Sequence, residues 1–294
     1  MNRLLIVDGH AYAYRAFHAI RELRSPSGQP TNAIYGFVKM LEKMRLAVEP
    51  SHLIVVWDGG LSAERLALLP NYKAQRPEMP ADLRPQLDAI SQYLAAAGVA
   101  EYCGDGVEAD DYIATLARRA AAAGWKVVIA SSDKDFMQLV SREIGLLNPN
   151  DKTGAVWSDE QVVAKTGVPP EQVADWLALM GDAVDNIPGV PGVGPKTATE
   201  LLKQFGSVES LLGRLDEVKS EKLRAALRAG ASAVRRNQGL VRLPEVACDF
   251  LPEQLGIRPV NGEALRDLFG GWGFKGMLAA LDAVIVSEKQ AELI

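Results

Sequence analysis

The sequence is poor in the residues that bind soft metals or form disulfide bridges. It has two cysteines and three histidines in 294 residues. Cys103 and Cys248 show neither the spacing of a zinc site nor that of a disulfide framework. There is no apolar run long enough to cross a membrane, and the four apolar residues before Asp8 are too few for a signal peptide. We therefore expect a cytoplasmic protein without zinc.

The composition is that of an ordinary globular protein, with 48% hydrophobic and 23% charged residues. The net charge of -5 argues weakly against a nucleic-acid partner. The charge is uneven, however, because residues 214–242 contain eight basic and only three acidic residues. Such a segment is either a solvated helical face or a surface that binds phosphate.

Three short apolar runs, at residues 4–7, 53–57 and 127–130, are each followed by acidic residues. Helical patterns lie around 33–47, 84–97 and 111–123, and they are long enough to connect parallel strands. The carboxyl ends of parallel strands meet at one edge of a sheet, where open α/β folds bind ligands. The sequence therefore predicts that one edge collects Asp8, Asp58, Asp133 and Asp135.

The stretch GVEADD places Glu108, Asp110 and Asp111 within four positions at the start of a helix, after a short strand predicted around 99–103. Acids favour the first turn of a helix, so a solvated cap is one interpretation. Three crowded carboxylates nevertheless repel one another unless a cation lies among them. Their expected place beside the other acids favours a metal site.

From residue 150 the pattern changes. A turn at 151–154, a capping box formed by Ser158 and Gln161, and a series of helices predict a domain change near 160. Asp182 and Asp185 follow at the end of a helix, where acids oppose the helix dipole. The turn GVPGVGPKTA then begins another helix and exposes backbone N–H groups that suit a phosphate. Its residues of interest are Gly192, Gly194, Lys196 and Thr197.

The segment after Asp58 is too long for an ordinary loop, which is typical of a lid or binding element. It carries Arg65, Tyr72, Lys73, Arg76 and Arg84. Lys73 and Arg76 beside Tyr72 suit a phosphate clamp with base stacking, and an exposed basic loop is the alternative.

Several stretches of the sequence form a pattern: VDGH, the strand before Asp58, YKAQRPEMP, GVEADD, SSDKD and GDAVDNIPGVPGVGPKTA. Together they closely resemble the bacterial 5′-nuclease family, and the resemblance runs over essentially the whole chain. This family includes the 5′→3′ exonuclease domain of DNA polymerase I and is related to the flap endonucleases. The resemblance implies an α/β fold with a mostly parallel central sheet flanked by helices. It also implies a catalytic domain over 1–160 with a helical arch at about 59–90, a helix–hairpin–helix region over 161–260, and a C-terminal helical segment over 261–294.

The resemblance implies a structure-specific nuclease that removes 5′ flaps or RNA primers in replication and repair. Its partners would be DNA with 5′ ends, flaps or nicks, RNA primer–DNA hybrids and a DNA polymerase, with no membrane, at the nucleoid. Its cofactors would be two Mg²⁺ or Mn²⁺ ions, with K⁺ at 190–193 of the hairpin. A first metal group would comprise Asp8, Asp58, Glu108, Asp110 and Asp111, and a second Asp133, Asp135, Asp182 and Asp185. Lys73, Arg76 and Asp110 would be catalytic. DNA would be bound by Arg15, Tyr72, Lys73, Arg76, Gly192, Gly194, Lys196 and Thr197.

Trp57, where the family commonly has Phe, and Gly59-Gly60 depart from the family pattern. Three other classes fit parts of the sequence. A non-catalytic branched-DNA-binding protein would be expected to lack some carboxylates, and none is missing. A sugar-phosphate hydrolase with an Asp nucleophile would leave the hairpin without a role, and a small RNase of the PIN type would lack the arch and the hairpin.

Overall fold

The computed structural model describes residues 2–248 and 250–291, with backbone only for 285–291. Among these residues the chain forms two compact units. The first comprises residues 2–57, 78–102 and 250–291, and the second comprises 58–77 and 103–248. No helix in these ranges is apolar over a stretch long enough to cross a lipid bilayer.

The fold is mixed α/β with mostly parallel strands. The strands are β1 (Arg3–Asp8), β2 (His52–Trp57), β3 (Ala100–Cys103), β4 (Lys126–Ala130), β5 (Ile144–Leu147), β6 (Val156–Trp157), β7 (Gly181–Asp182) and β8 (Ile187–Pro188). The helices are α1 (Gly9–Ala19), α2 (Asn32–Val48), α3 (Ala63–Leu68), α4 (Arg84–Ala96), α5 (Ala109–Ala122), α6 (Asp159–Thr166), α7 (Val173–Met180), α8 (Pro195–Phe205), α9 (Val208–Gly213), α10 (Glu221–Val241), α11 (Gly262–Trp272) and α12 (Lys275–Ala291).

In the first unit the strands lie in the order β3-β2-β1. β1 and β2 are parallel, with Leu5 opposite Leu53 and Asp8 opposite Val56. The apolar residues of both strands are almost completely buried, as expected for runs covered on both faces. α1 follows β1 without a connecting loop, because Asp8 itself caps the helix. The parallel strands and the helices predicted around 33–47 and 84–97 are confirmed.

In the second unit the strands lie in the order β4-β5-β6. β4 and β5 are parallel, and β6 is antiparallel to β5. The predicted turn between β5 and β6 is closed by Asp151, which accepts hydrogen bonds from Thr153 and from the indole of Trp157. The capping box of Ser158 and Gln161 begins α6, as predicted. β4 ends at the SSDKD stretch, which places its acids at a strand end.

The helical part of the second unit is held together by buried polar side chains. Asn237 in α10 donates to the carbonyls of Ala178 and Pro188, and so fixes α10 against the end of α7 and the strand β8. Asp175 accepts from Gln238 and from the backbone N–H of Val208. β7 and β8 form a short antiparallel pair between α7 and α8. The second acidic pair therefore belongs to a hairpin that Asn237 bonds to α10.

The segment predicted as a helical arch contains one helix of six residues, α3, before α4 begins. Turns and extended backbone follow α3, and Pro70, Pro77 and Pro80 account for the lack of further helix. The start of the segment packs closely against the loop before Glu108. A Cβ on Gly59 would lie 1.8 Å from the carbonyl oxygen of Gly104, so only glycine fits there without a backbone shift.

The predicted division into domains at 160 and 260 remains a prediction. Residue 160 lies inside the second unit, within α6, and residues 261–291 contain the predicted C-terminal helices α11 and α12. Residues 292–294 of that segment lie outside the described residues.

Candidate active site

The GVEADD acids lie at the N-terminus of α5. Glu108 is the N-cap residue, and Asp110 and Asp111 are in the first turn. The helix places its apolar face, which recurs at helical spacing, entirely in the core. Negative groups at this end are stabilised by the helix dipole and by unpaired N–H groups. The dipole alone does not account for three carboxylates, because Glu108 and Asp111 are also buried.

Both oxygens of the Glu108 carboxylate are occupied. Oε1 accepts the backbone N–H of Ser62 at 3.0 Å and lies 3.2 Å from the guanidinium of Arg65. Oε2 accepts from the hydroxyl of Tyr72 at 3.2 Å and from Nζ of Lys73. Burial alone would raise the pKa of Glu108, but the positive charges of Lys73 and Arg65 outweigh it and the pKa is lowered. Glu108 is thus held ionised inside the protein.

Tyr72 is part of this buried network. Its ring is almost completely inaccessible, and burial raises the pKa of its phenol. The predicted stacking of Tyr72 on a nucleic-acid base would therefore require the ring to leave its present position. In the described structure the residue acts as a hydrogen-bond donor to Glu108.

Lys73 joins the two groups of acids. Its Nζ contacts Glu108 and lies 3.9 Å from Oδ2 of Asp110, while its backbone N–H donates to the carbonyl of Asp185 at 3.0 Å. Burial would lower the pKa of the ammonium group, but the surrounding carboxylates, first Asp110, raise it. Lys73 also has a left-handed backbone with a φ of 55°, which costs about 1–3 kcal/mol and persists only where surrounding contacts fix it.

The turn around Lys73 is attached to the second acidic pair by two side-chain contacts. Arg76 donates to Oδ1 of Asp185 at 2.8 Å, and the amide of Asn186 donates to the carbonyl of Asn71 at 2.7 Å. Arg76 keeps 40% of its side chain exposed, unlike Lys73. It is therefore the predicted clamp residue that faces solvent.

Asp133 and Asp135 follow β4 at a 3₁₀ turn, Lys134–Leu139. Asp133 accepts the backbone N–H of Asp135 at 2.8 Å. Oδ1 of Asp135 is buried and has no hydrogen-bond partner. Burial, and then the charges of the neighbouring acids, raise the pKa of Asp135 well above its ordinary value. Those acids are Asp133, Asp110, Asp185 and Asp182.

Asp182 ends the strand β7, and Asp185 lies in the turn between β7 and β8. Asp182 accepts the backbone N–H of Val184 at 2.9 Å and contacts Nζ of Lys134 at 3.0 Å. Lys134 is a site residue that sequence reasoning missed. Its position in the sequence, between Asp133 and Asp135, could have indicated this role, because a lysine there can neutralise a nearby acid.

The chemistry of these residues fits hard divalent cations. The donors are carboxylate oxygens, which Mg²⁺ and Mn²⁺ prefer, and Asp135 presents a buried oxygen that needs a positive partner. Among the described residues, no three side chains of a metal-binding type already stand at the spacing of a formed site. Lysine and arginine groups instead occupy most of the carboxylates. Metal binding would therefore have to displace some of these cations.

Asp8, Asp58 and Arg15 are placed by other elements. Asp8 ends β1 and accepts the backbone N–H of Ala11 at 3.0 Å, while Arg15 is exposed on α1; both belong to the first unit. Asp58 begins the second unit, and its side chain accepts from the N–H of Gly60. The predicted convergence of Asp8 with the other acids remains a prediction.

The glycine turn forms the predicted start of a helix. Gly192 has a φ of +85°, Gly194 is the N-cap residue of α8, and Pro195 is its first residue. Lys196 is exposed and Thr197 half-buried. The first-turn N–H groups of a helix such as α8 have no acceptor within the helix itself, as a phosphate-binding turn requires.

The basic segment is less positive at its surface than its composition indicates. Arg214, Arg228, Arg235 and Arg242 each contact an acid, respectively Glu217, Asp216, Glu209 and Asp175. Lys219 and Lys222 are exposed. Of the two interpretations of this segment, the solvated helical face therefore describes much of it.

The chain matches a known family along most of its length. Residues 3–167 match the family described as "5'-3' exonuclease, N-terminal resolvase-like domain", and residues 168–263 match "5'-3' exonuclease, C-terminal SAM fold". The chain belongs to the 5′-3′ exonuclease family.

Two relatives of the chain illustrate how much of a longer protein it can correspond to. A protein named 5′-3′ exonuclease from Aquifex aeolicus (strain VF5) is 38% identical over 295 residues, covering all of both chains. A DNA polymerase I from Pseudomonas aeruginosa is 47% identical over 224 residues, which cover 76% of this chain and 24% of that protein. The chain thus spans the whole of the first relative and only about a quarter of the second.

The fold of the chain is similar to that of solved structures of other proteins. The structure titled "Divalent metal ions (zinc) bound to T5 5'-exonuclease" matches with a TM-score of 0.69 and 28% identity, covering 83% of this chain and 90% of that one. The catalytic core of Rad2 with a DNA substrate matches with a TM-score of 0.65 and 19% identity, covering 92% and 88%. The second likeness concerns the fold only.

Because the pKa of Asp135 is raised, the free energy of unfolding should depend on pH when no divalent ion is present. The folded state holds the Asp135 proton more tightly than the unfolded state, so the wild type loses stability as pH rises above the ordinary value of 3.8. In EDTA, Asp135→Asn should be more stable than the wild type near pH 7, and the difference should disappear as the pH falls towards 3.8. Urea unfolding at several pH values measures this.

Asp151→Asn provides a control of opposite sign. Hydrogen bonds from Trp157 and Thr153 lower the pKa of Asp151, so its carboxylate stabilises the fold above its unfolded pKa. This variant should be less stable than the wild type near neutral pH, and equal to it in acid. An Asp135→Asn variant that is less stable than the wild type in EDTA at pH 7 would contradict this account. It would mean that the ionised Asp135 carboxylate does not destabilise the folded protein.

Proposed function

We propose that the protein is a divalent-metal-dependent 5′→3′ exonuclease and flap endonuclease that hydrolyses DNA phosphodiester bonds. The observation that carries the proposal is the buried, unpartnered oxygen of Asp135 among four further carboxylates. Such a group is costly unless a cation binds it. The neighbouring family members, which are named as 5′-3′ exonucleases, support the same activity.

The two ions would be Mg²⁺ or Mn²⁺. When bound, such a pair activates water and stabilises the leaving oxygen of a phosphodiester. Asp133, Asp135 and Asp182 would hold one ion. Asp110 and Asp185 would complete the site, and the other predicted ligands are Asp8, Asp58, Glu108 and Asp111. Their use requires Lys73 and Lys134 to release the carboxylate oxygens that they now contact.

The cations at the site have separate roles. Arg76 is half-exposed and held by Asp185, so it can donate to a substrate phosphate with little rearrangement. Lys73 is buried on Glu108, so its positive charge acts on the site through the carboxylates. Charge that develops on the scissile phosphate would be stabilised by both groups.

The glycine turn would hold the DNA backbone away from the reacting bond. Gly192, Gly194, Lys196 and Thr197 would offer backbone N–H groups and one exposed ammonium to phosphates, and K⁺ would bind the backbone at 190–193. Arg15 on α1 would add a further phosphate contact. These contacts carry no sequence information, which suits an enzyme that recognises the form of its substrate.

The substrates would be DNA with 5′ ends, flaps or nicks, including RNA primers on DNA. The match to polymerase I proteins supports a role in replication and repair beside a DNA polymerase, either linked to it or separate. We further propose that the protein acts at the cytoplasmic nucleoid.

A cleavage assay with flap, nicked and single-stranded DNA, with and without Mg²⁺, tests the proposal. We expect 5′ products on flap and nicked DNA with Mg²⁺ or Mn²⁺, and none in excess EDTA. Asp135→Ala should lose cleavage but bind flap DNA in Ca²⁺ as the wild type does, because the proposed DNA contacts are made by other residues. Cleavage that persists in EDTA would reject the metal mechanism, and binding without any cleavage would favour a branched-DNA-binding protein.

Arg76 and Lys196 can be separated by kinetics. A contact made mainly in the transition state affects the rate of the bound complex, whereas a uniform contact affects affinity. Arg76→Ala should lower single-turnover cleavage at saturating enzyme by about 10²–10³-fold. Lys196→Ala should weaken binding and reduce the salt slope by about 0.9, the value for one phosphate contact. The reverse result would mean that the roles of the two elements are exchanged.

A further inference from the structure

The buried guanidinium of Arg65 lies between the ends of two helices. It is 4% exposed, although it belongs to the short helix α3 in the segment after Asp58. Its Nε donates to the carbonyl of Leu240 at 2.9 Å, and one terminal nitrogen donates to the carbonyl of Arg242 at 3.2 Å. These carbonyls belong to the C-terminal end of α10, the negative end of the helix dipole.

The other side of the guanidinium faces the acids at the start of α5. Its two terminal nitrogens donate to the two oxygens of Asp111, both at 2.7 Å, and one of them lies 3.2 Å from Glu108. Parallel hydrogen bonds of this kind fix both position and orientation of the two groups. Each of the three guanidinium nitrogens of Arg65 therefore donates at least one hydrogen bond of 2.9 Å or less.

Asp111 consequently differs from its neighbour Asp110. Both of its carboxylate oxygens are engaged by Arg65, and its backbone carbonyl accepts from the buried hydroxyl of Thr115. Asp110 keeps 20% of its side chain exposed, and its Oδ2 lies 3.9 Å from Nζ of Lys73. The two adjacent acids in the same helical turn thus have different environments.

We propose that Asp111 binds no divalent ion, and that Arg65 and Asp111 form a positioning pair that fixes Glu108 and the N-terminus of α5 against α3 and α10. The inference rests on the proposed nuclease function. It changes the predicted first metal group by removing Asp111, and it adds Arg65 as a residue that acts through Glu108. Ser62, three residues before Arg65, completes the arrangement by donating its backbone N–H to Glu108.

The substitution of lysine for Arg65 separates charge from geometry. Lysine keeps the positive charge but cannot make two parallel hydrogen bonds to Asp111 while reaching the carbonyls of α10. Glu108 should then lose its fixed position. We expect Arg65→Lys to lower single-turnover cleavage of a flap substrate about 10–100-fold, with flap-DNA affinity in Ca²⁺ within threefold of the wild type. Raising Mg²⁺ tenfold should not restore the rate.

Mn²⁺ binding without DNA, measured by electron paramagnetic resonance, tests the assignment of Asp111 independently of activity. Asp111→Asn should bind Mn²⁺ within about threefold of the wild type, and Asp110→Asn should lose at least tenfold. Arg266→Lys is the control for arginine substitution, because Arg266 makes a comparable but exposed pair with Asp282. It should change neither the rate nor Mn²⁺ affinity.

Two results would overturn the proposal. One is a loss of Mn²⁺ affinity in Asp111→Asn as large as that in Asp110→Asn. The other is full recovery of the Arg65→Lys rate at high Mg²⁺, which would mean that only metal occupancy had changed. If Arg65→Lys does not fold, the comparison of the two aspartate variants decides by itself. A wild type that binds Mn²⁺ but cleaves no DNA would reject the proposed function and leave the Asp111 comparison valid.

Discussion

The repulsion among carboxylates buried in one part of the second unit is the constraint on which the site depends. An ionised carboxylate loses several kcal/mol of hydration on burial, and like charges nearby add to that cost. The protein offsets this for four acids with its own cations. Arg65 faces Asp111, Lys73 faces Glu108, Arg76 faces Asp185 and Lys134 faces Asp182. Asp135 alone among these neighbours retains a buried oxygen without a hydrogen-bond partner in the described part of the chain.

The local backbone follows from these pairings. Lys73 and Asn186 both adopt left-handed conformations, which non-glycine residues rarely do. They lie in the two segments that meet at Asp185, and Asn186 bonds back to the carbonyl of Asn71. Two of the three non-glycine residues with positive φ among the described residues thus lie where the predicted clamp contacts the second acidic pair, and the third, Glu49, is the C-cap of α2. Strained backbone of this kind is typical of sites whose side chains must be held in one arrangement.

Much of the fold follows from local sequence. The runs before Asp8, Asp58 and Ser131 become buried strands because β-branched and apolar residues fill them, and helices begin at the residues that cap them. The sequence also predicts that the acids lie at strand and helix ends. It does not predict which cation faces which acid. Arg65 reaches a carbonyl 175 residues away, and that partner becomes evident only in the folded chain.

Two further features were beyond local patterns. Tyr72 stands beside Lys73 and Arg76 in the sequence, which suggested an exposed aromatic for stacking, yet its hydroxyl is used to satisfy Glu108. Gly59, a departure from the family pattern, is required by the close approach of Gly104 rather than by any turn type. Both depend on contacts between segments about 35 to 45 residues apart, so neither composition nor spacing reveals them.

Anomalous diffraction from crystals soaked in Mn²⁺ is the most direct test of the central claim that Asp135 requires a divalent ion. The account predicts a Mn²⁺ peak within bonding distance of Oδ1 of Asp135, with the Arg65–Asp111 pair intact and Lys134 withdrawn from Asp182. A Mn²⁺ peak bonded to Asp111, or saturating Mn²⁺ with no peak at Asp135, would contradict it.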